Sequence, residues 1–401
     1  MLAVQYLEPG PDTASIEIEA ARTRLRAAFE HLPIDGVILG WGLPEALKQA
    51  CVEETGRADA RLFHWHPLLT GHSGLEPRLD WQTVGLSGER VPGFQGLAEF
   101  TFLCPNRPAV AEAVRERLRR EIAHGPYQGV CLDRIRYPSP AANPGRWLAC
   151  FCPDCRRAAI AEGLDLVAAQ RSIQALPNTP ERRRWFVRVL LDSRADISSD
   201  ADLALLQRFI EFRTHSITRL VQAAAGVVRD EGLQVGLDCF SPVLTSLVGQ
   251  GLAALDTHCD WIKIMTYGHT WAPAGMPYEL GALARWLTGR GSPGEAEALN
   301  ELAQAAHLPL PTSLDALRAQ GLSPQALAAE VRCAQSAGVR TVLTGIELVD
   351  LDGVVRLDSA QIAADLRALR AANVDGLVLS WDLWRMPLER LQLVHSIWNA
   401  D

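Results

Sequence analysis

Short apolar runs alternate with longer amphipathic stretches along this chain, and the alternation recurs about eight times. Residues 1–6 predict a first strand, followed by a Glu/Ala/Arg-rich helix over about 14–31. Further strands are expected at 34–41 and 60–67, with Pro44 near the start of the helix between them. Residues 68–105 are punctuated by Gly and Pro and show little periodicity, which predicts a long loop with some edge structure. A helix over 106–124, with Pro108 in its first turn, leads to a fourth strand at 129–132. An excursion over 139–200 then carries a basic run, Arg182-Arg183-Arg184, and two predicted helices. A long helix over 201–231 precedes strands at 234–239 and 261–267. Residues 278–338 read as mainly helical, interrupted at Leu308-Pro309-Leu310-Pro311. Strands at 340–348 and 375–381 and a closing helix at 388–398 complete the pattern.

Strand–helix units repeated in this way predict an α/β fold, a (β/α)₈ TIM barrel, as one domain spanning 1–401. The competing open, doubly wound sheet wants a glycine-rich phosphate loop after an early strand, and none is present. Hydrophobic content of 48% and charged content of 21% suit a globular enzyme with a large core. Net charge is −8 with no Lys/Arg block, which argues against a nucleic-acid partner. No apolar run approaches membrane-spanning length, and the first residues lack the basic and apolar regions of a signal peptide. The expected compartment is the cytoplasm, where thiols stay reduced.

Chemistry concentrates in residues 127–155. The apolar run Gly129-Val130-Cys131-Leu132 ends in Asp133, Arg134 and Arg136, then Tyr137-Pro138, which cannot continue a central strand. A carboxylate where a buried strand ends is held rigidly and faces the cleft beyond it. Just downstream, Cys150-Phe151-Cys152-Pro153-Asp154-Cys155 sets three thiols within six residues. In a reducing compartment this cluster reads as soft metal ligation, and a tetrahedral site needs a fourth thiolate. Cys104, on the neighbouring loop, supplies it, giving a structural Zn²⁺ site of Cys104, Cys150, Cys152 and Cys155 that folds the excursion against the rim. Cys51, Cys131, Cys239, Cys259 and Cys333 read as small buried hydrophobes.

Strand parity, with catalytic groups expected at C-terminal strand ends, gives a list of inward positions. It predicts Cys131 and Asp133 on the fourth strand and Gly236 and Asp238 on the fifth. The sixth contributes Lys263 and Tyr267, the seventh Leu343, Gly345 and Glu347, and the eighth Ser380 and Asp382. On the third, His64 and His66 share the face opposite Phe63 and Trp65 and are expected at the same rim. Trp41, Trp65, Trp271, Trp381 and Trp384 lie near it. Carboxylates beside flat apolar faces suit a sugar, with rings stacking on its C–H surface while acids do proton or nucleophilic work.

The segment 129–138 resembles the fourth-strand signature of glycoside-hydrolase-like barrels distantly similar to α-amylases. The stretches 260–267 and 379–382 are similar to that group's sixth and eighth strands. The resemblance implies a nucleophile, an acid/base and a stabilising carboxylate at strands four, five and seven, positions held here by Asp133, Asp238 and Glu347. It departs from the amylase pattern at Cys131, where an Arg is usual, and at Asp238, where a Glu is usual. Spacing of the four cysteines is similar to the zinc knot of family 42 β-galactosidases. The expectation is a glycoside hydrolase with a carbohydrate substrate. Asp133 is read as nucleophile or stabiliser, Glu347 as acid/base, and Asp238 as a third carboxylate that binds hydroxyls. Trp41, His64, His66, Arg134, Arg136, Tyr137, Lys263, Tyr267, Trp381 and Asp382 are read as substrate-binding. Two other readings stand beside it: a sugar-binding barrel without catalysis, and an amidohydrolase-type enzyme with a metal at His64 and His66.

Overall fold

Each apolar run becomes a strand covered on both faces, one by the barrel interior and the other by helices, which is why the runs lack simple polar alternation. The computed structural model describes every residue except 11–12, 72–74, 142–146, 193–194, 196, 198–199, 289–293 and 400–401. Parts of the predicted excursion therefore lie outside the described residues. The strands are β1 (Leu2–Tyr6), β2 (Gly36–Leu39), β3 (Arg61–Pro67), β4 (Gly129–Asp133), β5 (Gln234–Phe240), β6 (Trp261–Met265), β7 (Val342–Glu347) and β8 (Gly376–Ser380). All pair in parallel, in sequence order, and close through β8 and β1 at Leu2 opposite Leu377. The fold is the expected (β/α)₈ barrel.

Helices α1 (Ile18–His31), α2 (Glu45–Arg57) and α3 (Pro108–Ile122) cover the first strands. The excursion after β4 holds α4 (Pro153–Ala161), α5 (Leu166–Ala175) and α6 (Pro180–Leu191), one helix more than expected. The long α7 (Ala201–Asp230) follows, then α8 (Pro242–Val248) and α9 (Leu252–Asp256) before β6. Between β6 and β7 run α10 (Met276–Thr288), α11 (Glu295–Ala306), α12 (Leu314–Gln320) and α13 (Pro324–Ser336). The last two are α14 (Ser359–Ala371) and α15 (Leu388–Trp398). Among the described residues no helix is long and apolar enough to cross a membrane.

The barrel interior is packed with Ala3, Ile38, Phe63, Trp65, Cys131, Trp261, Leu343 and Val378. Two glycines make this filling possible. A Cβ on Gly236 would lie 2.0 Å from the Trp261 ring, and one on Gly345 would lie 2.6 Å from Lys263 Cε. The first absence lets an indole plug the barrel; the second lets a lysine cross its axis.

The described part of residues 68–105 is the expected long loop with edge structure. Isolated bridges, Thr70 to Phe102, Gln82 to Leu103 and Val84 to Arg90, fold them into a small lobe. Two single-turn helices, Phe94–Gly96 and Ala98–Phe100, cap it at the barrel mouth.

Candidate active site

β4 ends at Asp133, and Arg134 adopts a left-handed backbone with φ of 53°. Such a conformation is costly for a residue with a Cβ, so it marks a position the surroundings dictate. The turn brings the Arg134 backbone N–H onto Asp133 Oδ1. Trp65 Nε1, from the neighbouring strand β3, donates to Asp133 Oδ2 at 3.0 Å. Both oxygens thus accept hydrogen bonds, which fixes the carboxylate's plane.

Beside it, on the barrel axis, the Lys263 side chain is wholly buried. Its ammonium donates to Asp238 Oδ2 at 2.8 Å, Tyr267 OH at 2.8 Å and Gln5 Oε1 at 3.0 Å. Burial alone would lower the lysine's pKa, but Asp238 and Tyr267 outweigh it and hold the ammonium above its ordinary value. Gln5 Oε1 also accepts from Ser380 Oγ at 2.6 Å. The second oxygen of Asp238, Oδ1, is buried and has no protein partner.

Above this floor lies a cavity of about 240 Å³. Its acids are Glu8, Asp133 and Asp238, its cations Arg134 and Arg136, and its rings Trp65, Phe94, Phe100, Tyr267 and Trp381. Pockets for drug-sized ligands run upward from about 300 Å³, so this one fits a single sugar-sized ring. A larger groove of about 620 Å³ between α3 and α7 lies on the helical outside of the barrel and lacks converging acids.

Asp133, Asp238, Arg134, Arg136, Tyr267 and Trp381 therefore meet at one cavity. Arg136 is clamped between the Phe102 and Phe240 rings at 4.3 and 4.4 Å, and burial pushes its pKa down to about 10. Arg134 donates to Glu99 O at 2.8 Å and lies 5.3 Å from the ring centres of both Trp41 and Phe100. The remaining predicted residues sit elsewhere. Lys263 lies beneath the cavity with its donors committed. Trp41 packs edge-on against Trp65 inside the barrel, with ring centres 5.4 Å apart.

His64 and His66 correct the parity expected for β3. Phe63 and Trp65 fill the interior, which turns both histidines outward onto α3, where each meets Glu121 Oε2, at 3.1 and 2.9 Å. Arg117 approaches His66 Nε2 at 3.2 Å, and burial drives the His66 pKa down to about 3, so that ring is neutral. His64, His66 and Glu121 bring three ligand atoms together, but on the wrong side of the wall for the amidohydrolase-type reading.

Tyr137 lies against the Arg213 guanidinium, 4.7 Å from its ring centre, beside the cysteines and away from the mouth. Asp382 spends its oxygens on backbone N–H groups of Leu7, Glu8 and Trp384, at 2.8, 3.2 and 3.0 Å. Glu347 accepts the His269 backbone N–H at 2.7 Å, under the loop after β6. The His269 ring contacts the Asp365 carboxylate at 2.8 Å and the Gln320 carbonyl at 3.2 Å. Both of those partners are acceptors, which raises its pKa against the effect of burial.

Sequence reasoning missed Glu8 and the lobe residues Phe94 and Phe100. Glu8 stands two residues past the end of β1, whereas Asp133 is the last residue of β4, so strand alternation did not reach it. The aromatics gave no signal, because their segment lacks periodicity.

The four expected cysteines converge. All are buried, and their sulfurs lie within 4.8 Å of one another. Cys104 Sγ is 3.5 Å from Cys152 Sγ and 3.4 Å from Cys155 Sγ. Backbone N–H groups of Val84 and Cys155 point at Cys150 and Cys152, at 3.3 and 3.4 Å.

No family model matches the chain, and no curated protein matches its sequence. Among solved structures it is similar in fold to the PgaB (BpsB) glycoside hydrolase domain from Bordetella bronchiseptica. That match has a TM-score of 0.52 and 14% identity, over 98% of this chain and 97% of that one. It is similar also to α-L-fucosidase isoenzyme 2 from Paenibacillus thiaminolyticus, with a TM-score of 0.52 and 11% identity. That match covers 99% of this chain, which spans about half of the fucosidase (48%). At these identities the likeness is one of fold.

The buried ion pair yields a direct test. Lys263→Met strands Asp238 in the barrel and should cost about 3–5 kcal/mol in urea denaturation. Adding Asp238→Asn should recover part of that loss. Equal and additive losses would mean that the two groups do not share one interaction.

Proposed function

We propose that this barrel is a glycoside hydrolase whose reaction takes place in the mouth cavity, with Asp133 as the carboxylate facing the anomeric carbon. The observation that carries the reading is the cavity itself: ring-sized, walled by aromatic faces and holding acids from different strands. Two of its fold neighbours are named as glycoside-cleaving proteins. Trp65 has two parts in this reading, since its indole N–H orients Asp133 while its ring lines the cavity. The unpartnered Asp238 Oδ1 is suited to accept a sugar hydroxyl, leaving its other oxygen on Lys263. Glu347, committed to the His269 amide, is a positioning residue for the loop after β6, replacing the expected acid/base role.

The cysteine cluster fits a structural Zn²⁺. Four sulfurs around zinc at about 2.3 Å form a tetrahedron with edges of about 3.8 Å, close to the 3.5 and 3.4 Å from Cys104 Sγ to Cys152 Sγ and Cys155 Sγ. Four thiolates on a dication leave excess negative charge. The buried Arg213, whose three guanidinium nitrogens have no hydrogen-bond partner, lies near enough to Cys150 and Cys155 to feel their charge. All four positions being filled, the metal would serve architecture only. It would tie the β3 lobe, through Cys104 and Val84, to the excursion after β4.

Asp133→Asn should lower kcat/KM by about 10²–10⁴ on whichever aryl glycoside of a panel the parent hydrolyses. Asp238→Asn should act mainly through substrate affinity, and Glu347→Gln should keep most of the activity. Wild-type rates in the Asp133 variant would end this assignment, and a parent that binds sugars without turnover would favour the non-catalytic barrel.

Zinc should be measurable at one equivalent per chain, and Cys152→Ser should lower both zinc content and melting temperature. Metal-free protein of undiminished stability would refute the knot.

A further inference from the structure

We infer that Glu8, on the loop after β1, is the proton donor of this site and works opposite Asp133; the inference rests on the glycosidase reading above. Glu8 lines the cavity, and its position is built rather than incidental. Its backbone N–H and that of Leu7 are both held by Asp382, at the end of β8. Leu7 itself takes a left-handed backbone, φ of 58°, which turns the chain just before Glu8. Asp382 thus clamps the end of β1 to the end of β8 and presents Glu8 to the mouth.

The charged groups facing Glu8 come from three other elements. Arg134, after β4, lies 3.6 Å from Glu8 Oε1. Asp133 on β4, Asp382 after β8 and Lys263 on β6 act at longer range. The side chain is 36% exposed, and it is the cavity that it lines. Desolvation by the cavity walls, only partly opposed by Arg134, pushes its pKa up to about 7. Asp133 differs in kind, because both its oxygens accept hydrogen bonds from N–H donors. A glycosidase needs two carboxyl groups in different roles, one giving a proton to the leaving oxygen and one held against the anomeric carbon.

The step balances as follows. The Glu8 proton passes to the glycosidic oxygen as the C1–O bond breaks, and the bonding electrons stay on that oxygen, which leaves as an alcohol. Asp133 meets the electron-poor C1. Water then adds its oxygen to C1, and the proton it loses returns to the Glu8 carboxylate. The net change is hydrolysis of one glycosidic bond by one water.

The protonated form is the active one, so kcat/KM should fall as pH rises through about 7. The test compares matched phenyl and 2,4-dinitrophenyl glycosides of glucose, galactose, N-acetylglucosamine and fucose, in both anomeric forms, on wild type, Glu8→Gln and Glu8→Asp. The phenol needs protonation to leave and the dinitrophenol does not. Glu8→Gln should lose about 10²–10⁴ on the phenyl substrate, little on the dinitrophenyl one, and the alkaline limb of its pH profile. Glu8→Asp should be slower than wild type but keep that limb. Equal losses on both leaving groups, or an unchanged limb in Glu8→Gln, would overturn the assignment of Glu8 and leave the glycosidase reading standing. Absence of wild-type turnover on every substrate would overturn both.

Discussion

A single buried ammonium constrains the mouth of this barrel. Lys263 rises into the axis and cannot be left there unpaired, because an isolated charge in a packed interior is far more costly than its mutual attractions. Its acceptors come from separate parts of the wall: Gln5 on β1, Asp238 on β5 and Tyr267 after β6. Gln5 passes the constraint on to Ser380 of β8. The lysine thereby sets the rotamers of the cavity floor and orients Asp238. Gly345 makes the arrangement possible by leaving room for the lysine stem.

A second layer of constraint comes from loops rather than strands. The lobe of residues 68–105 supplies Phe94, Leu97 and Phe100 to the cavity wall. It is held down by Cys104 and by the Val84 contacts to Cys150 and Phe151. Phe94 also meets Tyr278 of α10 edge-on, with ring centres 6.1 Å apart. Buried Glu279 accepts from Ser139 Oγ, Ala141 N and Ala274 N, which ties the loop after β4 to the loop after β6. The cysteine cluster and this carboxylate thus each tie down loops that line one small space.

The strand count, the barrel and most of the inward positions were legible in the sequence because covered strands are short, apolar and separated by helical periods. Parity succeeded wherever the inward residues were small or polar, as at Gly236 and Asp238. It failed on β3, where bulky Phe63 and Trp65 look like outward packing residues but plug the interior, and two histidines take the outer face. Glu8, Asp382 and Tyr137 lie beyond strand ends, where alternation no longer predicts direction and backbone turns decide. Hydrogen bonding to Leu7 and Glu8 makes Asp382 a clamp, which no local spacing foretells. The convergence of the cysteines was legible because three thiols within six residues are confined to one place and need only a fourth from a neighbouring loop.

The central claim is that a sugar ring is held in the mouth cavity against Asp133. It is tested most directly by a crystal structure of the Asp133→Asn protein with the glycoside that wild type cleaves. The account predicts one ring in the cavity, its anomeric carbon facing residue 133, a hydroxyl on Asp238 Oδ1 and an aromatic face of Trp65 or Trp381 against its C–H surface. A sugar bound only on an outer groove, with the mouth cavity empty, would contradict it.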